Sequence, residues 1–337
     1  MNNATHSNFT VPAHLHAAIP PEIRGDGRDH VRMMVIEEAS GKITDTHFKK
    51  LSSFLRSGDL IVFNNSRTLP AHLPLPEGYL RLSQQVSDHE WDVLIQNHPA
   101  QIGTRFQWSP TFSATITGTG SEPPLKRLSF SLRGAALIDS IYRYGQPIRY
   151  EYVKRLWELP SYQTVYATKP GSVEMPSAGR AFTWKMMHTL QKRNIGLAFL
   201  TLHAGLSYYE GDHWPQPSAH PEFVQLTPAT AALINQTKAK GGRVIAVGTT
   251  VVRAIESAIN KEGEVIPYHH FTDLYIKENH SLHVVDGLLT GFHEPEASHL
   301  EMLSAFIPQR SLFRAYEHAL KEGYLWHEFG DLNLILP

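Results

Sequence analysis

The stretch Gly241–Ser257, GGRVIAVGTTVVRAIES, decides the fold class. Gly241 and Gly242 are a turn signal, Arg243 to Val247 is a short apolar run of strand length, and Thr250 to Ile259 carries helical spacing. A strand, a tight Gly-Thr-Thr turn and a helix in immediate succession form the repeating unit of an α/β sheet. Thr249 or Thr250 is expected to cap the helix, with Arg253 near its start, where the helix dipole disfavours a cation. Arg253 therefore needs an anionic partner. That partner is either a bound phosphate or carboxylate held with backbone amides and threonine hydroxyls, or simply a nearby Asp or Glu.

The same texture recurs elsewhere. Leu60 to Phe63 is too apolar for an alternating surface strand and reads as a buried one. A strand is expected at Val31–Glu37, a helix around Thr46–Leu55, a helix at Ala181–Arg193, a strand at Gly196–Leu202 and a helix at Pro228–Lys240. A strand near Leu274–Ile276 and helices from about Ser298 and Leu312 follow. From about Thr68 the pattern changes: EWDVLIQN, TRFQWS, FSATITGTG and RLSFSLRG are short segments of alternating polarity broken by Gly, Pro and Asn. The predicted architecture is α/β, with an α/β catalytic domain (residues 1–68 and 160–337) interrupted by an inserted small antiparallel β-barrel domain at residues 69–159.

With 337 residues, 42% hydrophobic and 19% charged, the chain has the composition of an ordinary globular protein large enough for two domains. A formal net charge of −1 gives no global signal for nucleic-acid binding and leaves only a local basic patch. Lys185, Lys192, Arg193, Lys238, Lys240 and Arg243 are the candidates for one. The chain has no cysteine, which excludes disulfides, thiol catalysis and Cys-based metal centres. No basic-then-apolar leader pattern opens the sequence and no run of about 18 apolar residues occurs, so a cytoplasmic protein without membrane association is expected. The 20 histidines are scattered. His293 with His299, and His269 with His270, lack further ligands at metal-site spacing, so no metal is expected.

Three apolar strands run into polar clusters: Leu60–Phe63 into Asn64, Asn65, Ser66 and Arg67; Leu197–Leu202 into His203; Val244–Val247 into Gly248, Thr249, Thr250 and Arg253. Ligands of open α/β sheets bind beyond the carboxyl ends of the strands. If these strands are parallel neighbours, Arg67, His203 and Arg253 converge there. The turn Pro176–Gly179 is built of small residues that would let a ligand approach the backbone, and Phe292 with His293 sits in a turn before a helix.

The chain resembles the S-adenosylmethionine:tRNA ribosyltransferase-isomerases of queuosine biosynthesis. The resemblance runs in order through SGDLIVFNNSRTLPAHL, YQTVYATKPGSVEMPSAG, FLTLHAGLSYY, KAKGGRVIAVGTTVVRAIES, FTDLYI, VVDGLLTGFHEPEASHLEMLSAF and AYEHALKEGYLW. It implies transfer and isomerisation of the ribosyl moiety of S-adenosylmethionine onto a 7-aminomethyl-7-deazaguanine base in the anticodon loop of tRNA. The product is epoxyqueuosine-tRNA, and adenine and methionine leave. S-adenosylmethionine is then a co-substrate, with no permanently bound cofactor, and the protein is expected to be monomeric. By the same resemblance His203, Glu256 and Asp273 are the catalytic candidates. Arg67, Tyr162, Gln163, Ser177, Gly179, Thr249, Thr250, Arg253 and His293 are the substrate-binding candidates. The chain departs from the family pattern Pro-Thr-Ala-Gly-Leu-His-Phe at Pro176–Phe182, where Arg180 and Ala181 replace Leu and His. It also departs from Asp-Thr-Arg at Asn65-Ser66-Arg67. The alternative readings are a relative that uses S-adenosylmethionine or a nucleoside on another acceptor, and a catalytically silent tRNA or nucleotide binder.

Overall fold

The computed structural model describes residues 9–25, 27–209, 215, 220–294 and 298–337. A nine-stranded mixed sheet forms the larger layer. At its centre the strand Leu60–Asn64 lies between Gly196–Leu202 and Val244–Val247 and runs parallel to both. All five of its residues are buried, which explains the unbroken apolar run. Gly287–Gly291 runs parallel to Val244–Val247 on the far side, and Leu332–Leu336 follows, antiparallel to Gly287–Gly291 and parallel to Arg32–Glu37. The opposite edge is antiparallel, made of Glu222–Leu226 and Tyr268–Thr272.

Because side chains alternate across a strand, the same strands feed two separate cores. Met34, Ile36, Leu60, Val62, Val244 and Ala246 face the helices Pro228–Ala239, Thr249–Glu256 and Gln309–Lys321 through residues such as Ile234, Val252 and Leu312. Met33, Val35, Ile61, Phe63, Ile245 and Val247 face the helix Trp184–Lys192 through Met187 and Leu190. Burial of each such side chain contributes about 1.5–3 kcal/mol, so the layered α/β arrangement follows from the pattern of the strands.

The chain leaves this domain through Ser66–Thr68 and returns through Lys169–Ser172, and these two short strands pair in parallel. Between them lies a curled six-stranded antiparallel sheet, ordered His72–Pro74, Tyr79–Gln85, Glu90–Gln96, Lys126–Phe130, Ser113–Thr119, Arg105–Gln107. Its own core holds Trp91, Phe112 and Phe130, and the helix Gly134–Tyr144 contributes Leu137 and Ile141 to it.

Three local expectations are corrected. Thr46–Leu55 is not an α-helix: β-branched Ile43, Thr44 and Thr46 belong to a strand, Ile43–His47, that folds back on Arg32–Glu37, and only the 3₁₀ turn Phe48–Ser53 follows. The strand expected near Leu274–Ile276 is Tyr268–Thr272 instead. Neither Thr249 nor Thr250 caps its helix. Gly248 does, at φ 91 with no side-chain cap, and Arg253 falls in the last turn of the eight-residue helix, where the dipole favours a cation.

At the amino ends of the central strands, Arg243 donates to both carboxylate oxygens of buried Asp59, at 3.1 and 2.6 Å, and to the Phe54 carbonyl. Arg243 is thus a tie between strands, not part of a nucleic-acid patch. Lys238 likewise pairs with Asp286 at 2.6 Å. Removing one partner of a buried pair leaves an uncompensated charge, so Arg243→Ala should lower unfolding stability by about 3–5 kcal/mol in denaturant titration. A loss below about 1 kcal/mol would mean the pair behaves as a surface one.

Candidate active site

The carboxyl ends of the parallel strands open on a cavity of about 1630 Å³. Its walls come from both layers: Ser177, His203, Thr250 and Arg253 from the α/β side, Arg81 and Gln84 from the antiparallel sheet. Asn64, at the end of the central strand, organises the rim. Its amide nitrogen donates to the Leu202 carbonyl at 2.8 Å and to the Thr250 hydroxyl at 3.4 Å, and its oxygen accepts the Leu202 and Ser66 amides, each at 3.0 Å.

His203 follows Leu202 directly and lies on the cavity wall. Its Nδ1 is 2.7 Å from the Ser66 hydroxyl, and its ring covers Gly171, where a Cβ would stand only 2.6 Å from Nε2. Gly171 therefore has to be glycine for the imidazole to lie there. Burial disfavours the charged ring and pushes the His203 pKa down to about 4. The side chain is accordingly a neutral imidazole at neutral pH, able to accept a proton.

Gly248, Thr249 and Thr250 put the first turn of a helix on the same wall, a place suited to an anionic group. Arg253 lines the cavity but already has an anionic partner: it is paired with Glu222 and donates to the Leu274 carbonyl at 2.9 Å. The nearby acid is thus the observed partner, and Glu222 is a cleft residue without a sequence signal, carried on the strand Glu222–Leu226 next to the sheet edge.

Ser177, Tyr162 and His293 also face the cavity. The Tyr162 hydroxyl is buried and has no hydrogen-bond partner among the described residues. His293 Nε2 is 2.9 Å from the Thr290 hydroxyl, and burial holds its pKa well below the usual histidine range. The remaining predicted residues lie off the cavity wall. Glu256 accepts the backbone amides of His283, Val284 and Val285 at 3.0–3.1 Å. Asp273 is exposed. Arg67 lies over the Tyr142 ring of the inserted domain, 5.6 Å from its centroid. Gln163 pairs with both backbone groups of Thr68, at 3.1 and 2.7 Å. At Gly179 a Cβ would stand 1.8 Å from the Tyr166 hydroxyl. Ala181 is packed in the core with Phe63 and Phe182, and Arg180 is buried against Glu22 at 2.7 Å, so both departures from the family pattern sit behind the cavity.

Two half-buried acids on the wall had no sequence signal. Glu174 accepts from the Tyr150 hydroxyl and from both the amide and the hydroxyl of Ser207, and burial raises its pKa. Glu328 accepts from the Tyr152 hydroxyl and is pushed up to about 7 by burial, where a carboxyl can both give and take a proton at neutral pH.

An α/β protein with a separate curled antiparallel sheet and a large cleft at the carboxyl ends of its parallel strands is the class these features define. The model of the Queuosine biosynthesis protein family matches residues 4–335. The S-adenosylmethionine:tRNA ribosyltransferase-isomerase of Natranaerobius thermophilus is 35% identical over 343 residues, 97% of this chain and 98% of its own. The protein of the same name from Carboxydothermus hydrogenoformans is 33% identical over 339 residues, 98% of each chain. A crystal structure of an S-adenosylmethionine tRNA ribosyltransferase from Thermotoga maritima superposes with a TM-score of 0.57 at 26% identity, over 98% of this chain and 100% of that one. The chain belongs to the S-adenosylmethionine:tRNA ribosyltransferase-isomerase family.

Two outcomes test this geometry. An NMR pH titration should place the His203 midpoint near 4. Between about 6.5 and about 4 the unfolded chain then takes up a proton that the folded one does not, so His203 lowers stability as pH falls through that window and contributes nothing to pH dependence above it. A midpoint near 6.5 would contradict the buried ring. Separately, Gly179→Ala should cost about 1–3 kcal/mol through the clash with Tyr166, and Tyr166→Phe should restore part of it. Additive losses in the double variant would mean the contact is not the cause.

Proposed function

We propose that this enzyme transfers and isomerises the ribosyl moiety of S-adenosylmethionine onto 7-aminomethyl-7-deazaguanine in the anticodon loop of tRNA, giving epoxyqueuosine-tRNA and releasing adenine and methionine. The observation that carries the reading is the neutral, Ser66-held His203 beside the Gly248–Thr250 turn in a cleft of about 1630 Å³. Pockets for one drug-sized ligand are about 300–1,000 Å³, so this cleft has room for a nucleoside donor and a nucleotide acceptor together.

The sulfonium of the donor acidifies its 5′ carbon, and the unprotonated His203 imidazole is the group on the wall available to take that proton, although burial lowers its basicity. With Nδ1–H donated to the Ser66 hydroxyl, Nε2 carries the lone pair that accepts it. The first turn of the Thr249–Glu256 helix suits the donor's methionyl carboxylate, and Ser177 offers a hydroxyl to the sugar or base. Departing adenine needs a proton, and Glu328, near 7, is an acid of the right strength facing the same cavity. Glu256 and Asp273, off the cavity wall, support the site without touching substrate in this reading.

A second reading keeps the donor and changes the acceptor. It rests on the departures from the family pattern at Asn65, Arg180 and Ala181, which would act on the cleft from behind its wall.

The test is nucleoside mass spectrometry after incubating the protein with S-adenosylmethionine and tRNA carrying the aminomethyl-deazaguanine base, with free adenine and methionine assayed alongside. Epoxyqueuosine with release of both is expected, and His203→Ala should slow turnover by about 10²–10⁴-fold. No product, from substrates that an active family enzyme converts, would reject the tRNA reaction. Adenine release without modified tRNA would favour the second reading.

A further inference from the structure

We propose that His16, Glu294 and His327 form a three-ligand site for a divalent transition-metal ion on the wall of the cleft, with a coordination position open to the cavity. This inference is independent of the reaction assigned above.

The three residues come from distant parts of the chain and are brought together by backbone structure. The Trp326 amide donates to the Leu15 carbonyl at 2.9 Å, and the Ala17 amide donates to the Trp326 carbonyl at 3.2 Å. This short parallel bridge puts His16 beside the turn that carries His327. His327 is a non-glycine residue at φ 71, a left-handed conformation that costs about 1–3 kcal/mol unless its surroundings enforce it. Here they do: the Gly330 amide donates to the His327 carbonyl at 3.0 Å, and Asp331 holds the Leu325 amide at 2.8 Å. The held backbone presents an imidazole, not a small turn residue, to the cavity wall.

The two rings already meet nitrogen to nitrogen, joined by a hydrogen bond that a metal ion would replace. The His16 and His327 rings are parallel within 8°, and His16 Nδ1 faces His327 Nε2 at 2.5 Å. A carboxylate oxygen of Glu294 is 3.9 Å from the same Nε2, and all three ligand atoms lie within 4.8 Å of one another. Zinc bonds of about 2.0–2.2 Å separate neighbouring ligand atoms by roughly 3.4 Å, so the imidazoles need to part by about 1 Å and turn until both lone pairs meet the ion, and the carboxylate needs to move in by a comparable distance. Tyr152 fixes the ring planes: it stacks on His327 at 4.1 Å and on His16 at 5.8 Å, and its hydroxyl is anchored on Glu328. All three ligands line the cavity.

Two imidazoles and one carboxylate are the donor set of open zinc sites and of non-haem iron centres, in which three protein ligands leave room for water or a substrate atom. The expectation of no metal came from short-range spacing, and positions 16, 294 and 327 have none to see.

The chain, freed of any affinity tag and stripped with chelator, is titrated calorimetrically with Zn²⁺ alone, and Co²⁺ is added in parallel for its visible d–d bands. About one equivalent should bind per chain. Glu294→Gln and His327→Asn should each weaken Zn²⁺ binding by at least about 100-fold, beyond the 10–100-fold that loss of an outer-shell partner costs. Asn is chosen because it tolerates the left-handed backbone. A His269→Ala/His270→Ala variant, altered at an exposed pair, should bind as the parent does. Azide should change the Co²⁺ spectrum if a position is open. Absence of stoichiometric binding, or unchanged affinity in Glu294→Gln, would overturn the site and leave a proton shared between two imidazoles. Glu294 needs no special backbone, so that variant decides the matter even if His327→Asn folds poorly.

Discussion

The side-chain amide of Asn64 holds together the part of the molecule on which everything else depends. It is buried, and it spends both its donors and its acceptor on the Leu202 backbone, the Ser66 amide and the Thr250 hydroxyl. Those partners belong to the adjoining parallel strand, the connection into the inserted domain and the first turn of the helix after Val244–Val247. One residue thereby sets the positions of His203, Ser66 and the Gly248–Thr250 turn relative to each other. A buried amide left with any of these bonds unmade would cost about 1–3 kcal/mol per group, so the arrangement at the strand ends is strongly specified.

Burial then works in opposite directions on the two kinds of titratable group in the cleft. It disfavours charge everywhere, which makes His203 a neutral base with a pKa down to about 4 and lifts Glu328 to about 7. At neutral pH the cleft therefore offers an unprotonated imidazole at His203 and, at Glu328, a carboxyl that can give or take a proton. The cation on the wall, Arg253, is held by Glu222 and the carbonyls of Thr272 and Leu274, so it shapes the edge of the sheet as much as it attracts anions.

The α/β layering was legible because it depends on local pattern. The run Leu60–Phe63, the strand Gly196–Leu202 and the helix beginning at Pro228 emerge almost residue for residue. The failures were edge elements: Ile43–His47 and Tyr268–Thr272 carry polar residues on exposed sides, so neither shows a clean period, and their identity as strands comes from pairing with distant neighbours. The site was legible where it follows a strand end, as at His203 and Thr249–Thr250. It was opaque where it depends on contact across the chain. Ser66 as the partner of His203, Glu222 as the partner of Arg253, the tyrosine-bound acids Glu174 and Glu328, and the cluster of His16, Glu294 and His327 are all tertiary facts. Arg67 and Gln163, singled out by motif, instead brace the junction between the domains.

The central claim is that donor and acceptor meet in the cleft at the carboxyl ends of the parallel strands. Its most direct test is a crystal structure of the protein with S-adenosylmethionine bound. The account predicts the methionyl carboxylate at the Gly248–Thr250 turn and the ribose 5′ carbon within reach of His203 Nε2. Density for the molecule away from that turn, with His203 facing an unliganded cleft, would contradict it.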